Sequence, residues 1–129
     1  CLIHDLGECF TGDIPAFRKT RQDEKTETQL LSRWVEGLPS PEREKMAALY
    51  AEMAAMETKE AKIYKALDKM EAIVQHNESP ISTWEALEYE LNLTYGVEQA
   101  AFSPQMQALR EAIRQETLKK METEGAEND

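Results

Sequence analysis

Apolar residues recur along this chain at the three- and four-residue spacing of amphipathic helices. The pattern is clearest in two stretches, whose apolar positions are Met46, Leu49, Tyr50 and Met53, and then Ile63, Ala66, Leu67, Met70, Ile73 and Val74. No stretch alternates apolar and polar residues with the β-branched enrichment of a strand. The pattern therefore predicts an all-α chain, folded as one bundle of about five to six helices.

Capping residues predict where these helices begin and end. Residues 1–9 are predicted to end a first helix, and a second covers 23–35. Further starts are predicted at Ser40-Pro41, Thr58, the capping box Ser82-Glu85 (a helix running to about Tyr95) and Ser103-Pro104. Because no Gly/Ser-rich linker interrupts the chain, residues 1–122 are predicted to form one domain, followed by an acidic, frayed tail at 123–129.

Charge and composition limit the kinds of molecule that this chain is expected to bind and the compartment where it is expected to work. The 129 residues carry a formal net charge of −10, which disfavours binding to nucleic-acid polymers. No apolar run approaches the ~20 residues that a membrane span requires. Cys1 and Cys9 lie about 12 Å apart along a straight helix, too far for a disulfide, so we expect reduced thiols and a cytoplasmic protein. The basic residues at 18, 19, 21 and 25 are interpreted as a solvated loop, with phosphate attraction as the alternative.

Four ionisable residues fall within ten positions of an otherwise apolar stretch. They are His4, Asp5, Glu8 and Asp13. Adjacent residues of a helix point about 100° apart, so one cation beside the helix can be reached by both His4 and Asp5. Imidazole and carboxylate together suit divalent transition metals. Glu8 follows His4 by one helical turn, and Asp13 follows in a Gly-containing turn, so the stretch is a candidate metal site.

A second acidic candidate, Asp68, lies in the most apolar predicted helix. It is either a third ligand of the same metal or the partner of Lys65 or Lys69 in a surface ion pair. Lys69 is a candidate for phosphate binding, with a surface ion pair as the equal alternative. His76 lies about 12 Å along the helix from Asp68, so it is interpreted as a structural residue at an exposed helix end.

Two motifs in this chain resemble those of a known family. Residues 4–8 (HDLGE), followed by residues 11–15 (TGDIP), resemble the motif of HD-domain hydrolases, most closely the 5'-deoxynucleotidase-like branch, in which HD-x-x-E runs into G-D-I. Residues 60–62 (EAK) and 66–71 (ALDKME) are similar to the later segment that supplies the last metal ligand of that family. The likeness extends from residue 1 to about residue 120.

The resemblance implies roles for particular residues. This family binds one divalent metal through a first histidine, the HD pair and a distant aspartate, which implies His4, Asp5 and Asp68 as metal ligands. Glu8 and Asp13 match the acidic residues beside the metal, and either of them would position water or move a proton. The first histidine and a phosphate-contacting arginine have no counterpart here. We therefore expect residues 1–122 to be the C-terminal part of an HD domain, with its first helices and first metal histidine outside this sequence.

The resemblance also implies an activity. We expect a metal-dependent phosphohydrolase, and the G-D-I-P turn favours a 5'-deoxynucleotidase that removes phosphate from deoxynucleoside 5'-monophosphates. The metal is one divalent cation, with Mn, Co, Fe, Zn and Mg all left open. Family members are commonly dimeric, which adds a homodimer to the expectations. Two alternatives stay open: hydrolysis of another nucleotide, or a non-catalytic helical interaction module if the chain is naturally short.

Overall fold

Helices account for all the regular secondary structure in residues 1–125, the part of the chain that the computed structural model describes. This confirms the all-α prediction. The chain divides into two compact units, the first spanning Cys1–Ala61 and the second beginning at Lys62. The predicted tail at 123–129 falls partly outside the described residues, and its first three residues belong to the last helix. No helix in residues 1–125 is both long enough and apolar enough to cross a membrane.

The first unit contains three helices: α1 (Glu8–Thr11), α2 (Arg21–Glu36) and α3 (Glu42–Ala55). Helix α2 packs against both α1 and α3. It begins at Arg21, two residues earlier than predicted, because Thr20 and Asp23 form a reciprocal capping box. Helix α3 begins at Glu42 with Pro41 at its N-cap, so the side-chain cap predicted from Ser40 is absent at this helix start.

Helix α4 (Lys59–Glu78) begins three residues before the boundary between the units, and the remainder of it belongs to the second unit. The second unit also contains a 3₁₀-helix (Ile81–Thr83), α5 (Ala86–Thr94), α6 (Val97–Ala100) and α7 (Pro104–Gly125). Helix α7 packs against the 3₁₀-helix, α5 and α6. The buried apolar side chains of this unit are Ala66, Met70, Ile73, Ile81, Trp84, Ala100 and Ile113. Thr58 and Ser103 cap α4 and α7 as predicted, through bonds of 3.2 and 3.4 Å to backbone amides.

The predicted helix start at Ser82 is wrong. Residues 81–83 form the 3₁₀-helix, and α5 begins only at Ala86, where the Glu85 amide donates to Glu88 Oε2 at 2.7 Å. The cause is tertiary. Trp84 is buried, and its indole N–H donates to the carbonyl of His76 at 2.9 Å, which fixes the backbone before α5 can start.

Buried polar groups join α4, α5 and α7. The Thr117 hydroxyl donates to Asn77 Oδ1 at 2.9 Å, and the Asn77 amide donates to the carbonyl of Ile113 at 3.3 Å. The Arg110 guanidinium donates to the carbonyls of Asn92 and Tyr95, both at 2.9 Å. Arg110 thereby satisfies carbonyls at the end of α5, which have no partner within the helix. These contacts hold the second unit together where apolar contacts alone would leave polar groups unpaired.

Candidate metal site

The His-Asp pair lies in a chain of turns immediately before α1. Amide-to-carbonyl bonds of the i to i−3 type run through this segment, including His4 to Cys1 at 3.3 Å and Glu8 to Asp5 at 3.0 Å. The α-helix itself covers only Glu8–Thr11, so the prediction that residues 1–9 end a helix holds for the last two of them. His4 and Asp5 therefore lie in consecutive hydrogen-bonded turns rather than in an α-helix.

His4 and Asp5 are close enough to share one cation. His4 Nε2 lies 3.0 Å from Asp5 Oδ2, and both residues offer ligand atoms suited to a metal. Two ligand atoms that bind one metal at about 2.1 Å, at right angles, lie about 3 Å apart. The spacing of this pair therefore fits a shared divalent cation.

The tautomer of His4 also fits a metal ligand. His4 Nδ1 faces the carbonyl oxygen of Cys1 within hydrogen-bond distance, and a carbonyl can only accept, so Nδ1 is the protonated nitrogen. In the neutral ring, Nε2 then holds the lone pair and faces the carboxylate of Asp5. A metal-binding histidine is normally oriented by such a second hydrogen bond. This tautomer therefore leaves Nε2 able to bind a cation that the Asp5 carboxylate, 3.0 Å away, also reaches.

Glu8 lies in a partly buried ion cluster beside this pair. Lys19 Nζ lies 3.6 Å from Glu8 Oε1 and 2.6 Å from Glu27 Oε2. Burial raises the pKa of Glu8, and the negative charges of Asp5, Asp13 and Glu27 raise it further, although Lys19 opposes them. A raised pKa makes this carboxyl group a stronger proton acceptor than an ordinary glutamate, which favours a role as general base.

Asp13 differs from Glu8 in its surroundings. It is exposed, and it follows Gly12, whose φ of 82° and ψ of 162° lie in a region that glycine alone adopts easily. This glycine sends the chain away from α1 into the loop that carries Asp13. Asp13 is close enough to Glu8 to raise its pKa.

Asp68 lies on α4 in the second unit. Its Oδ2 accepts from Lys65 Nζ at 3.3 Å, one of the two ion pairs expected from the sequence. Burial by itself would lower the pKa of Lys65, but the charge and hydrogen bond of Asp68, together with Tyr64 and Tyr95, outweigh burial and raise the pKa. Asp68 is about one-third exposed, so it is neither sealed in the core nor fully solvated. Its role as a third ligand stays a prediction.

Lys69 makes two contacts that the sequence did not indicate. Its ammonium lies 4.1 Å from the centre of the Tyr95 ring, which is a cation–π contact. Its Cβ also packs closely on Gly96, where an added Cβ would lie only 3.1 Å away. Lys65, rather than Lys69, forms the ion pair with Asp68. Phosphate binding by Lys69 stays a prediction.

His76 is less exposed than the sequence indicated. Its Nδ1 donates to Asn92 Oδ1 at 2.7 Å, and Nε2 lies 3.4 Å from Glu88 Oε1, so the ring joins α4 to α5.

The sequence does not reveal the role of Lys19, because its spacing groups it with the solvated loop residues. No local spacing links Lys19 to Glu27, eight residues away across a helix start, so only the folded backbone reveals their pairing.

Comparison with known proteins identifies the class. A family model described as HD domain matches residues 1–110, and the chain belongs to this family. The match confirms the resemblance seen in the motifs at 4–8 and 11–15.

Individual relatives narrow the comparison further. The chain is similar to the protein named 5'-deoxynucleotidase HDDC2 in Mus musculus, Homo sapiens and Bos taurus, with 33% identity over 79 residues in each. These residues are 60% of this chain but only 40%, 39% and 38% of the respective relatives, so the match spans about two-fifths of their length. No solved structure gives a significant match.

Proposed function

We propose that this chain forms part of a metal-dependent phosphohydrolase that removes phosphate from deoxynucleoside 5'-monophosphates. The observation that carries the proposal is the His4–Asp5 pair, whose ligand atoms lie 3.0 Å apart while His4 Nδ1 is committed to a backbone carbonyl. Membership of the HD-domain family supports the metal, and the name of the matched relatives supports the substrate class.

The proposed ligands are His4, Asp5 and Asp68. One imidazole and two carboxylates suit Mn, Co, Fe, Zn or Mg, and the donor set does not choose among them. When bound, the cation would screen the negative charge of the phosphate and lower the pKa of water. The other residues of the chain would then supply proton transfer and orientation.

Glu8 is the better candidate for proton transfer, and Asp13 the weaker one. In the reaction, the oxygen of water bonds to phosphorus, the bond from phosphorus to the nucleoside 5' oxygen breaks, and that oxygen takes up a proton. Glu8 is partly buried with a raised pKa, so it can hold the proton that water gives up. Asp13 is exposed and would instead act through its charge.

Substrate binding by Lys69 belongs to the same proposal. An ammonium that rests on an aromatic ring is held in place and still offers its N–H groups to a phosphate. The cytoplasmic location and the homodimer expected from the sequence stay predictions.

Metal binding provides the first test. The full protein that carries this chain, stripped with EDTA and titrated with Mn²⁺ in a calorimeter, should bind one cation per chain. Asp5→Asn and Asp68→Asn should each weaken binding at least tenfold, because each removes a charged ligand. Glu111→Gln is the matched control, since it removes one negative charge from an exposed position. Unchanged affinity in Asp68→Asn would exclude Asp68 from the site.

Activity provides the second test. Release of inorganic phosphate from dAMP, AMP and dATP, measured with Mn²⁺ or Co²⁺, should be fastest with dAMP. Asp5→Asn should abolish turnover, and Glu8→Gln should lower kcat by about 100-fold or more. Preference for dATP, or full activity of Asp5→Asn, would contradict the proposed function.

A further inference from the structure

Lys19 forms an ion cluster with two carboxylates in the first unit. Its ammonium lies 2.6 Å from Glu27 Oε2 and 3.6 Å from Glu8 Oε1. All three side chains are largely withdrawn from solvent, with 19%, 15% and 22% exposure for Lys19, Glu27 and Glu8. Glu27 Oε2 is fully buried, so the ammonium beside it compensates a charge that water does not reach.

Three segments of the chain build this cluster. The carbonyl of Pro15 accepts from the amides of Arg18 and Lys19 at 2.8 and 3.0 Å, a turn that aims Lys19 before α2 begins. Glu27 lies within α2 and packs on Gly7, where even a Cβ would come within 2.5 Å of Glu27 Cγ. Glu8 begins α1, immediately after that glycine. The cluster therefore ties α1 to α2 beside the His4–Asp5 turn.

The two contacts of Lys19 are unequal, and this suggests their separate roles. The 2.6 Å contact to Glu27 is close and buried, so it anchors the ammonium. The 3.6 Å contact to Glu8 is too long for a hydrogen bond but short enough for strong electrostatic attraction. A lysine needed only to pair Glu27 would not have to lie beside Glu8 as well.

We propose that Lys19, anchored by Glu27, is a positioning residue that holds the Glu8 carboxylate beside the His4–Asp5 pair. This inference rests on the proposed function, because it assigns Lys19 a role through Glu8. Without the fixed positive charge, Lys19 would no longer oppose the negative charges of Asp5, Asp13 and Glu27 that act on Glu8. Repulsion would then turn its carboxylate toward solvent.

The kinetic test uses two lysines with the same substitution. In the full protein with saturating Mn²⁺, Lys19→Met should lower kcat for dAMP by roughly 10- to 100-fold, with KM changed by less than about threefold. Lys19→Arg keeps the charge and should recover most of the lost kcat. Lys25→Met is the control, because Lys25 is an exposed lysine of the nearby helix α2, and the kcat of this variant should be unchanged. A well-folded Lys19→Met protein with wild-type kcat would overturn the proposal.

A second measurement needs no activity. Thermal unfolding of the metal-free protein should show that the loss of Tm in the Lys19→Met, Glu27→Gln double variant is smaller than the sum of the single losses, because the pair is removed only once. Additive losses would overturn the anchoring by Glu27. If the variants show this coupling but the wild-type protein hydrolyses no phosphomonoester, the proposed function is refuted, and the positioning role of Lys19 with it.

Discussion

Replacing Gly7 with alanine tests a close packing contact of the first unit. A Cβ at this position would lie 2.5 Å from Glu27 Cγ and 3.0 Å from Glu27 Oε1. Carbon atoms in ordinary contact are about 3.5–4.0 Å apart, so Glu27 would have to move by about 1 Å or more. Glu27 is not free to yield, because its carboxylate is buried against Lys19.

The size of the effect follows from two opposing contributions. Overpacking a well-packed site costs about 1–3 kcal/mol in the free energy of unfolding. The backbone at Gly7 (φ −59°, ψ −29°) is one that alanine adopts, so the lower entropy of the unfolded chain returns about 0.4–1 kcal/mol. Gly7→Ala should therefore destabilise the protein by about 1–2 kcal/mol, measured by urea unfolding followed by circular dichroism.

A double-mutant cycle isolates the cause. In a Glu27→Ala background the clashing atoms are absent, so Gly7→Ala should be neutral or stabilising by up to about 1 kcal/mol. Gly12→Ala is the control. Its φ of 82° strains alanine although no atom lies within 4 Å, so its cost should be the same in both backgrounds. If Gly7→Ala costs as much without the Glu27 side chain as with it, the packing explanation is refuted.

Three further predictions concern α2, α4 and α7. Hydrogen bonds from Thr20 lower the pKa of Asp23, so its stabilisation is present above pH 3.8 and is lost as the pH falls through the lowered pKa; the Tm difference between wild type and Asp23→Ala should be constant from pH 7 to 5 and vanish in stronger acid. Thr117→Val removes a fully buried hydroxyl that donates to the α4 amide side chain, and should cost about 1–3 kcal/mol in urea unfolding; stability equal to wild type would contradict this. Ile73→Ala in the core should cost about 2–5 kcal/mol, and clearly more than Leu67→Ala on the exposed side of the same helix, by the same measurement; equal losses would contradict the assigned burial.

Sequence periodicity predicted the helices better than their ends. The stripe on α4 is a good example, because Ala66, Met70 and Ile73 are all buried. The start of α2 could have been predicted, since Thr20 and Asp23 have the spacing of a capping box. The start of α5 could not, because it depends on a bond between the Trp84 indole and a carbonyl of α4.

The residues proposed to bind the metal could be predicted from the sequence, but the residues that pack beside them could not. The His4–Asp5 pair and the nearby Glu8 follow from the motif and its spacing. Lys19 does not, because its partner Glu27 comes close only when α2 packs on the turn at Gly7. Sequence spacing reports neighbours within one helix, whereas this contact links separate segments.

The long helix α7 has a practical consequence for anyone who trims this protein. The family match stops at residue 110, yet α7 continues to Gly125. Its later half supplies Thr117 to Asn77 and the Glu124 carboxylate to the Ile81 amide at 3.0 Å. An expression fragment cut at the family boundary would lose both of these hydrogen-bond partners. Fragments intended for crystallisation should therefore retain α7 through residue 124.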